Sequence, residues 1–223
     1  MTAPTARLCD RISFAAAIFD MDGLLAHTSN VWRIGEEALL DRLGRRWSPE
    51  LTLKFRGMNA FDCAAVICRE YPSDLPVAEC QKTMRDAMID QYETGDVRPL
   101  PGAVELVRHL HGRLPMAVAS GSPLAGIEAV TRRLGIGDCF SVLVTSEDVP
   151  RGKPAPDVFL EAARQLRVEA SRCVVFEDAP VGVQAAKAAG MACWCVPSCP
   201  REMFTTLPDR FCDSLTDLLH RAD

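Results

Sequence analysis

Two aspartates one residue apart, Asp20 and Asp22, end the apolar run in "AAAIFDMDGLL". Other polar groups follow apolar runs in the same way. Ser120 closes "PMAVAS", Lys153 follows "SVLVTSEDVPRGKP", and Glu177 and Asp178 close "CVVFED". Carboxylates gathered in one crevice repel one another and take up protons unless a cation is present. Hard oxygen donors beside a phosphate suit Mg²⁺. Lys153 would add positive charge and Ser120 a neutral donor, which makes a site for a dianion. In such a site Asp20 could attack phosphorus and form an aspartyl-phosphate. Asp22 could protonate the leaving oxygen and later take a proton from water. Mg²⁺ and Lys153 would offset charge on the transferring group. Gly23 lets the chain turn sharply after the second aspartate. Each residue alone has a plainer reading. An aspartate at a strand end is often a turn residue or helix cap, a lysine is often solvated, and Ser120 could cap the helix beginning near Pro123. The coincidence at four strand ends favours the chemistry.

The elements that would gather these groups are legible along the chain. Ala15 to Phe19 is uninterrupted and apolar, as in a strand buried on both faces. From Val31 to about Gly95 the pattern is helical: "VWRIGEEALLDRLG", "FDCAAVICREY" and "AECQKTMRDAMIDQYETG". After "RPLPGAVELVRHL", strands and helices alternate through "PMAVAS", "SVLVTS", "CVVFED" and "ACWCVP". Alternation of this kind predicts an α/β fold, a doubly wound parallel sheet with helices on both faces. Ligands bind such Rossmann-like sheets at the carboxyl ends of the strands. The helical block is too long for an ordinary connection of about 4–6 residues. It reads as an inserted all-helical domain over residues 31–95, with the core formed by 1–30 and 96–223.

The chain has 223 residues, of which 48% are hydrophobic and 25% charged, enough for one full core and a smaller second module. A net charge of -5 without a long basic block argues against nucleic acid or an anionic membrane surface as partner. No apolar run approaches the roughly 18 residues of a membrane span. The segment Phe14 to Phe19 is short, ends in Asp20 and has no cleavage site after it, so a cytoplasmic protein is expected. Ten cysteines are scattered without paired CxxC motifs. "CWCVPSC" lacks structural-zinc spacing, and Cys193 and Cys195 suit alternate positions of a buried strand.

With these residues in place, the sequence resembles the haloacid dehalogenase superfamily of phosphohydrolases, most of all the branch of β-phosphoglucomutase and the small sugar-phosphate phosphatases. "FDMDGLL", "VASGSP", "GKPAPDVF" and "FEDAPVGVQAAKAAGM" match its four motifs in order and spacing. The resemblance implies Asp20 as nucleophile, Asp22 as acid/base, Ser120 and the Gly121 amide on phosphate, and Lys153 pairing phosphate and nucleophile. It implies Mg²⁺ held by the Asp20 side chain, the Asp22 backbone carbonyl and Asp178, with Glu177 as ligand or supporting group. It also implies a helical cap that shields the intermediate from water. "FRGMNAFD" resembles the cap loop that meets substrate, with Arg56 and Gly57 matching its basic-glycine pattern and Arg56 a candidate substrate contact.

Within that branch, the mutase pattern has an arginine near Ala60 and a histidine at the position of Trp32. Both are absent, and tryptophan there is common among the phosphatases. Hydrolysis of a small sugar or polyol phosphate is therefore expected, with the mutase as alternative. A dehalogenase fits less well, since that branch lacks the second aspartate and needs no metal. A non-catalytic binding protein would be expected to have lost Asp20, Asp22, Lys153 or Asp178, and all are present. Many relatives act as monomers, which is the expectation here. The branch often carries "DGxxxDS" where this chain has His27 and Thr28. Thr28 keeps the hydroxyl. His27 replaces a carboxylate and reads as a loop histidine bonded to backbone, against a role in which its charge changes near pH 6–7 and affects the hinge or the substrate. His27→Asp is expected to leave the pH profile of turnover unchanged; a displaced profile would give the imidazole a functional role.

Overall fold

The computed structural model describes residues 14–51 and 58–219. Strand β1, Ala16–Phe19, is wholly enclosed. It pairs in parallel on one side with β4, Met116–Ser120, and on the other with β6, Cys173–Glu177. Beyond β4 lies β5, Val142–Thr145; beyond β6 lie β7, Ala192–Cys195, and β8, Arg210–Phe211. The sheet order is β5-β4-β1-β6-β7-β8, with every neighbouring pair parallel. The expected doubly wound α/β sheet is what the chain forms.

Strand alternation sends successive side chains to opposite faces. Ala17 and Phe19 pack with Leu106 of α4, Ala103–Leu110, and Ile127 of α5, Leu124–Arg133. Ala16 and Ile18 pack with Phe159 of α6, Asp157–Leu166, and Val183 of α7, Pro180–Ala188. Phe19 stacks on Phe176 of the next strand at 4.7 Å between ring centroids, and Trp194 meets Phe176 edge-on. These rings brace the middle of the sheet just below the strand ends.

Between β1 and β4 the chain forms α1, Ser29–Arg42, α2, Ala60–Glu70, and α3, Val77–Thr94. Helix α2 starts at Asn59, whose side chain accepts the Asp62 amide at 2.8 Å. Buried Leu39, Cys63, Ile67, Met84 and Tyr92 of these helices join the apolar cluster on the Phe19 face of the sheet. The block leaves and rejoins the sheet through two short segments that pair antiparallel, β2, Ala26–His27, and β3, Arg98–Pro99. Such two-residue strands, like β8, are too short to leave a periodic signal in sequence. No helix of the described residues is long and apolar enough to cross a membrane.

Phe19→Ala removes a ring enclosed between two strands and is expected to cost about 3–5 kcal/mol. Urea unfolding followed by far-ultraviolet circular dichroism measures it; a loss below about 1 kcal/mol would mean the sheet does not depend on this stack.

Candidate active site

The order of the sheet determines where the polar groups meet. From β1 the chain runs to β4 and β5 on one side, then crosses back to β6 on the other. The reversal lies beside β1, and in open α/β sheets such a switch point opens a crevice at the carboxyl strand ends. The Asp20 amide extends the ladder by donating to the Phe176 carbonyl at 3.0 Å. Asp20 is thereby fixed beside Glu177, with Ser120 at the end of the strand on its other side. Lys153 reaches the same place from the connection between β5 and α6, next to a cis Lys153–Pro154 bond.

The Lys153 ammonium donates to Asp20 Oδ1 at 2.5 Å and to Glu177 Oε1 at 2.6 Å, above the ring of Phe159. Glu177 Oε2 accepts the backbone amides of Asp178 and Ala179 at 2.7 and 2.9 Å. Both Glu177 oxygens are therefore engaged, which suits orienting Lys153 and shaping the turn. The arrangement is close-fitted: a Cβ on Gly182 would lie 1.7 Å from Glu177 Oε1. Burial lifts the Asp20 carboxyl to about 8, with Lys153 pulling against it and the Glu177 and Asp22 charges reinforcing it. Burial, then Glu177 and Asp20, likewise raise Asp178 well above the usual carboxylate range. For Lys153, burial opposes the charge, yet Asp20 and Glu177 outweigh it and hold the ammonium protonated.

Asp22 sits in different surroundings. Its Oδ1 accepts from the Tyr92 hydroxyl at 2.7 Å, and its Oδ2 from Ser122 at 2.6 Å and Ser120 at 3.1 Å. Tyr92 and Ser122 also share a hydrogen bond at 2.7 Å. Burial, then the Asp22 charge, push the Tyr92 hydroxyl well above the ordinary tyrosine range, so it stays a donor. Tyr92 and Ser122 were not foreseen from the sequence. Ser122 was legible as the last residue of "SGS", but Tyr92 lies 70 positions from Asp22 and only helix packing brings it there.

Asp20, Asp22, Ser120, Lys153, Glu177 and Asp178 line one cavity of about 500 Å³, together with Gly121, Leu24, Trp32, Glu36, Met58 and Asn59. Arg56 and Gly57 lie outside the described residues. From the same cap loop, the structure brings Asn59 to the crevice. The neighbouring Ala60 amide donates to the Gly121 carbonyl at 3.2 Å. The sequence signal for Asn59 was the helix start Asn-Ala-Phe-Asp. His27 is exposed, borders the cavity and pairs with Arg98 across the β2–β3 ladder, so its segment is a strand and not an open loop. Thr28 Oγ1 is buried in the same wall, without a hydrogen-bond partner among the described residues.

Carboxylate oxygens of Asp20, Glu177 and Asp178 lie within 4.8 Å of one another, all buried. Gly23, at φ +82°, brings backbone so close that a Cβ would lie 2.4 Å from Asp178 Oδ2. An all-oxygen, electron-rich cradle of this kind fits a hard divalent cation. Asp20 and Asp178 could hold it directly.

A family model described as haloacid dehalogenase-like hydrolase matches residues 14–190. The chain belongs to that family. Among curated proteins, it is 36% identical over 210 residues to the bifunctional riboflavin kinase/FMN phosphatase of Arabidopsis thaliana, covering 92% of this chain and 54% of that one. The chain thus spans about half the length of that relative. It is also 36% identical to the fructose-1-phosphate phosphatase YqaB of Escherichia coli K12, over 80% of this chain and 94% of the relative. The crystal structure of CbbY from Rhodobacter sphaeroides in complex with phosphate superposes with a TM-score of 0.82 at 28% identity, covering 92% and 96% of the two chains. The family and the fold thus agree with the resemblance drawn from the sequence.

Without a cation, the folded chain keeps protons on Asp20, lifted to about 8, and on Asp178. The unfolded carboxyls release theirs near pH 4. Between about pH 4 and 8 the folded state therefore binds more protons, and its stability falls as pH rises across that window. Lys153 does not offset this, because its charge is unchanged there in both states. The thermal midpoint of the metal-free protein is expected to fall from about pH 5 to pH 8, and Mg²⁺ to reduce the fall by binding the ionised carboxylates. A midpoint insensitive to both pH and Mg²⁺ would contradict the charge balance of this site.

Proposed function

We propose that this haloacid dehalogenase-like hydrolase is a Mg²⁺-dependent phosphatase of small phosphomonoesters, sugar or polyol phosphates, acting through an aspartyl-phosphate on Asp20. The observation that carries the reading is the Asp20–Lys153–Glu177 arrangement beside Asp178 on the wall of a cavity that would hold a small molecule. Lys153 occupies Asp20 Oδ1, and Oδ2 is the oxygen assigned to attack phosphorus. The Ser120 hydroxyl and Gly121 amide bind phosphate oxygens, and Lys153 neutralises charge as it develops. Asp22 gives its proton to the leaving oxygen and then takes one from the attacking water. When bound, a divalent cation supplies the charge that keeps Asp20 and Asp178 ionised and polarises the phosphoryl group. The helices between residues 31 and 95 act as the cap, with Arg56 as a substrate contact. Their inner wall, with Trp32 and Glu36, sorts substrates.

The named activities of the relatives, on fructose 1-phosphate and FMN, support a phosphatase. Trp32 in the cavity wall and buried Ala60 at the start of α2 favour it over the mutase alternative. The intact Asp20, Asp22, Lys153 and Asp178 disfavour a non-catalytic binding protein. The same reading makes the protein a cytoplasmic monomer. Free thiols at all nine described cysteines fit a reducing compartment.

Phosphate release from p-nitrophenyl phosphate and a panel of sugar and polyol phosphates tests the proposal. Turnover is expected to require Mg²⁺ and to fall by about 10³-fold or more in Asp20→Asn. With β-glucose 1-phosphate and its bisphosphate activator, phosphate release should outrun isomerisation. The opposite order makes the protein a mutase, and inertness across the panel makes it a binding protein.

A further inference from the structure

The helical block contains a feature that phosphoryl chemistry does not use. Cys68 lies two residues before the end of α2, and Cys80 lies in the first turn of α3. A six-residue connection, Tyr71 to Pro76, folds the two helices back on each other and brings the thiols together. The Cys80 thiol donates to Cys68 Sγ at 2.8 Å, and the Cys68 thiol donates to the Leu75 carbonyl at 3.7 Å. The two sulfurs are thus only about 0.8 Å beyond the ~2.05 Å of a disulfide bond. Cys193 and Cys195 offer no such pair. They lie two residues apart along one face of β7, about 7 Å from one another, beyond the Cβ separation of a disulfide.

We infer that Cys68 and Cys80 form a reversible dithiol–disulfide couple, a modification site whose oxidant is a small-molecule disulfide. Cys68 is the thiol that meets the reagent, since it is 8% exposed while Cys80 is 0% exposed. Its thiolate attacks one sulfur of the reagent, breaking that S–S bond and expelling one thiolate. Cys80 then attacks Cys68 Sγ, forms the intramolecular bond and expels the second thiolate. The two cysteine protons end on the two departing thiols, and the cysteines lose the two electrons the reagent gains. Burial and the Cys68 contact push the Cys80 thiol up to about 11, while the Arg42 guanidinium works the other way. The second step is therefore carried by proximity rather than by a standing thiolate.

The bond would pin the ends of α2 and α3 that lie at their shared connection. The opposite ends of these helices carry Asn59 to the cavity and Tyr92 to Asp22.

The test treats the folded full chain with oxidised glutathione, blocks remaining thiols with iodoacetamide and digests with trypsin. Cleavage after Arg56, Arg69 and Lys82 separates the peptides 57–69 and 70–82 unless a disulfide joins them. The expected product is the joined pair with Cys63 alkylated, about 2 Da lighter than the same two peptides carrying free thiols at Cys68 and Cys80. Its fragment ions should place the bond on Cys68 and not on Cys63, and dithiothreitol should release it. In Cys80→Ser, glutathione should remain attached at Cys68. If Cys68 and Cys80 are both alkylated, if glutathione stops at Cys68 in the unaltered chain, or if the bond falls on Cys63, the inference is overturned. The mapping of the unaltered chain decides even where the variant does not fold.

Discussion

One buried ammonium held between two buried carboxylates is the constraint around which this molecule is arranged. Lys153 bridges Asp20 and Glu177 at 2.5 and 2.6 Å, and Asp178 adds a third enclosed carboxyl. Removing such charges from water costs several kcal/mol each, and a buried pair rarely recovers more than that cost. One cation among three carboxylates leaves an excess of negative charge, which the raised Asp20 and Asp178 express as proton affinity. The surroundings are fitted to tolerate this. The Phe19, Phe176 and Trp194 rings stiffen the sheet below. Gly182 makes room for Glu177, and Gly23 brings backbone against Asp178. An arrangement poor for stability and ready for added positive charge is what phosphoryl transfer requires.

The two aspartates of the first motif, one residue apart, occupy opposite electrostatic settings. Asp20 ends the ladder inside the charged cluster. Asp22 has already left the strand and lies among neutral hydroxyls from Tyr92, Ser120 and Ser122. Different surroundings let one fold give two carboxylates of the same type different properties. The Tyr92 contact also joins the sheet and the helical block, because its hydroxyl reaches Asp22 from α3. The position of that block and the hydrogen bonding of Asp22 are therefore coupled.

The helical block is anchored at both of its approaches to the site. Asn59 opens α2 beside the turn that follows β4, where the Ala60 amide bonds the Gly121 carbonyl. The β2–β3 ladder clasps the two crossings at Ala26–His27 and Arg98–Pro99. These contacts add to the apolar packing of Leu39, Cys63, Ile67, Met84 and Tyr92 in one cluster with Ala17 and Phe19.

The sequence by itself determined the sheet, its parallel winding and the residues at its strand ends. Strands β1, β4, β5 and β6 are apolar runs closed by polar residues, and such an uninterrupted run is legible one segment at a time. Asp20, Asp22, Ser120, Glu177 and Asp178 could be picked out for that reason, and Lys153 from the motif in the connection after β5. Tertiary structure alone decided the partners. Tyr92 and Ser122 on Asp22, the commitment of both Glu177 oxygens, and the contact between Cys68 and Cys80 depend on how separate elements pack, and no local pattern encodes that distance. The two-residue strands β2, β3 and β8 were hidden for the same reason: their hydrogen bonds come from neighbours far along the chain, while their own letters are too few to carry a period.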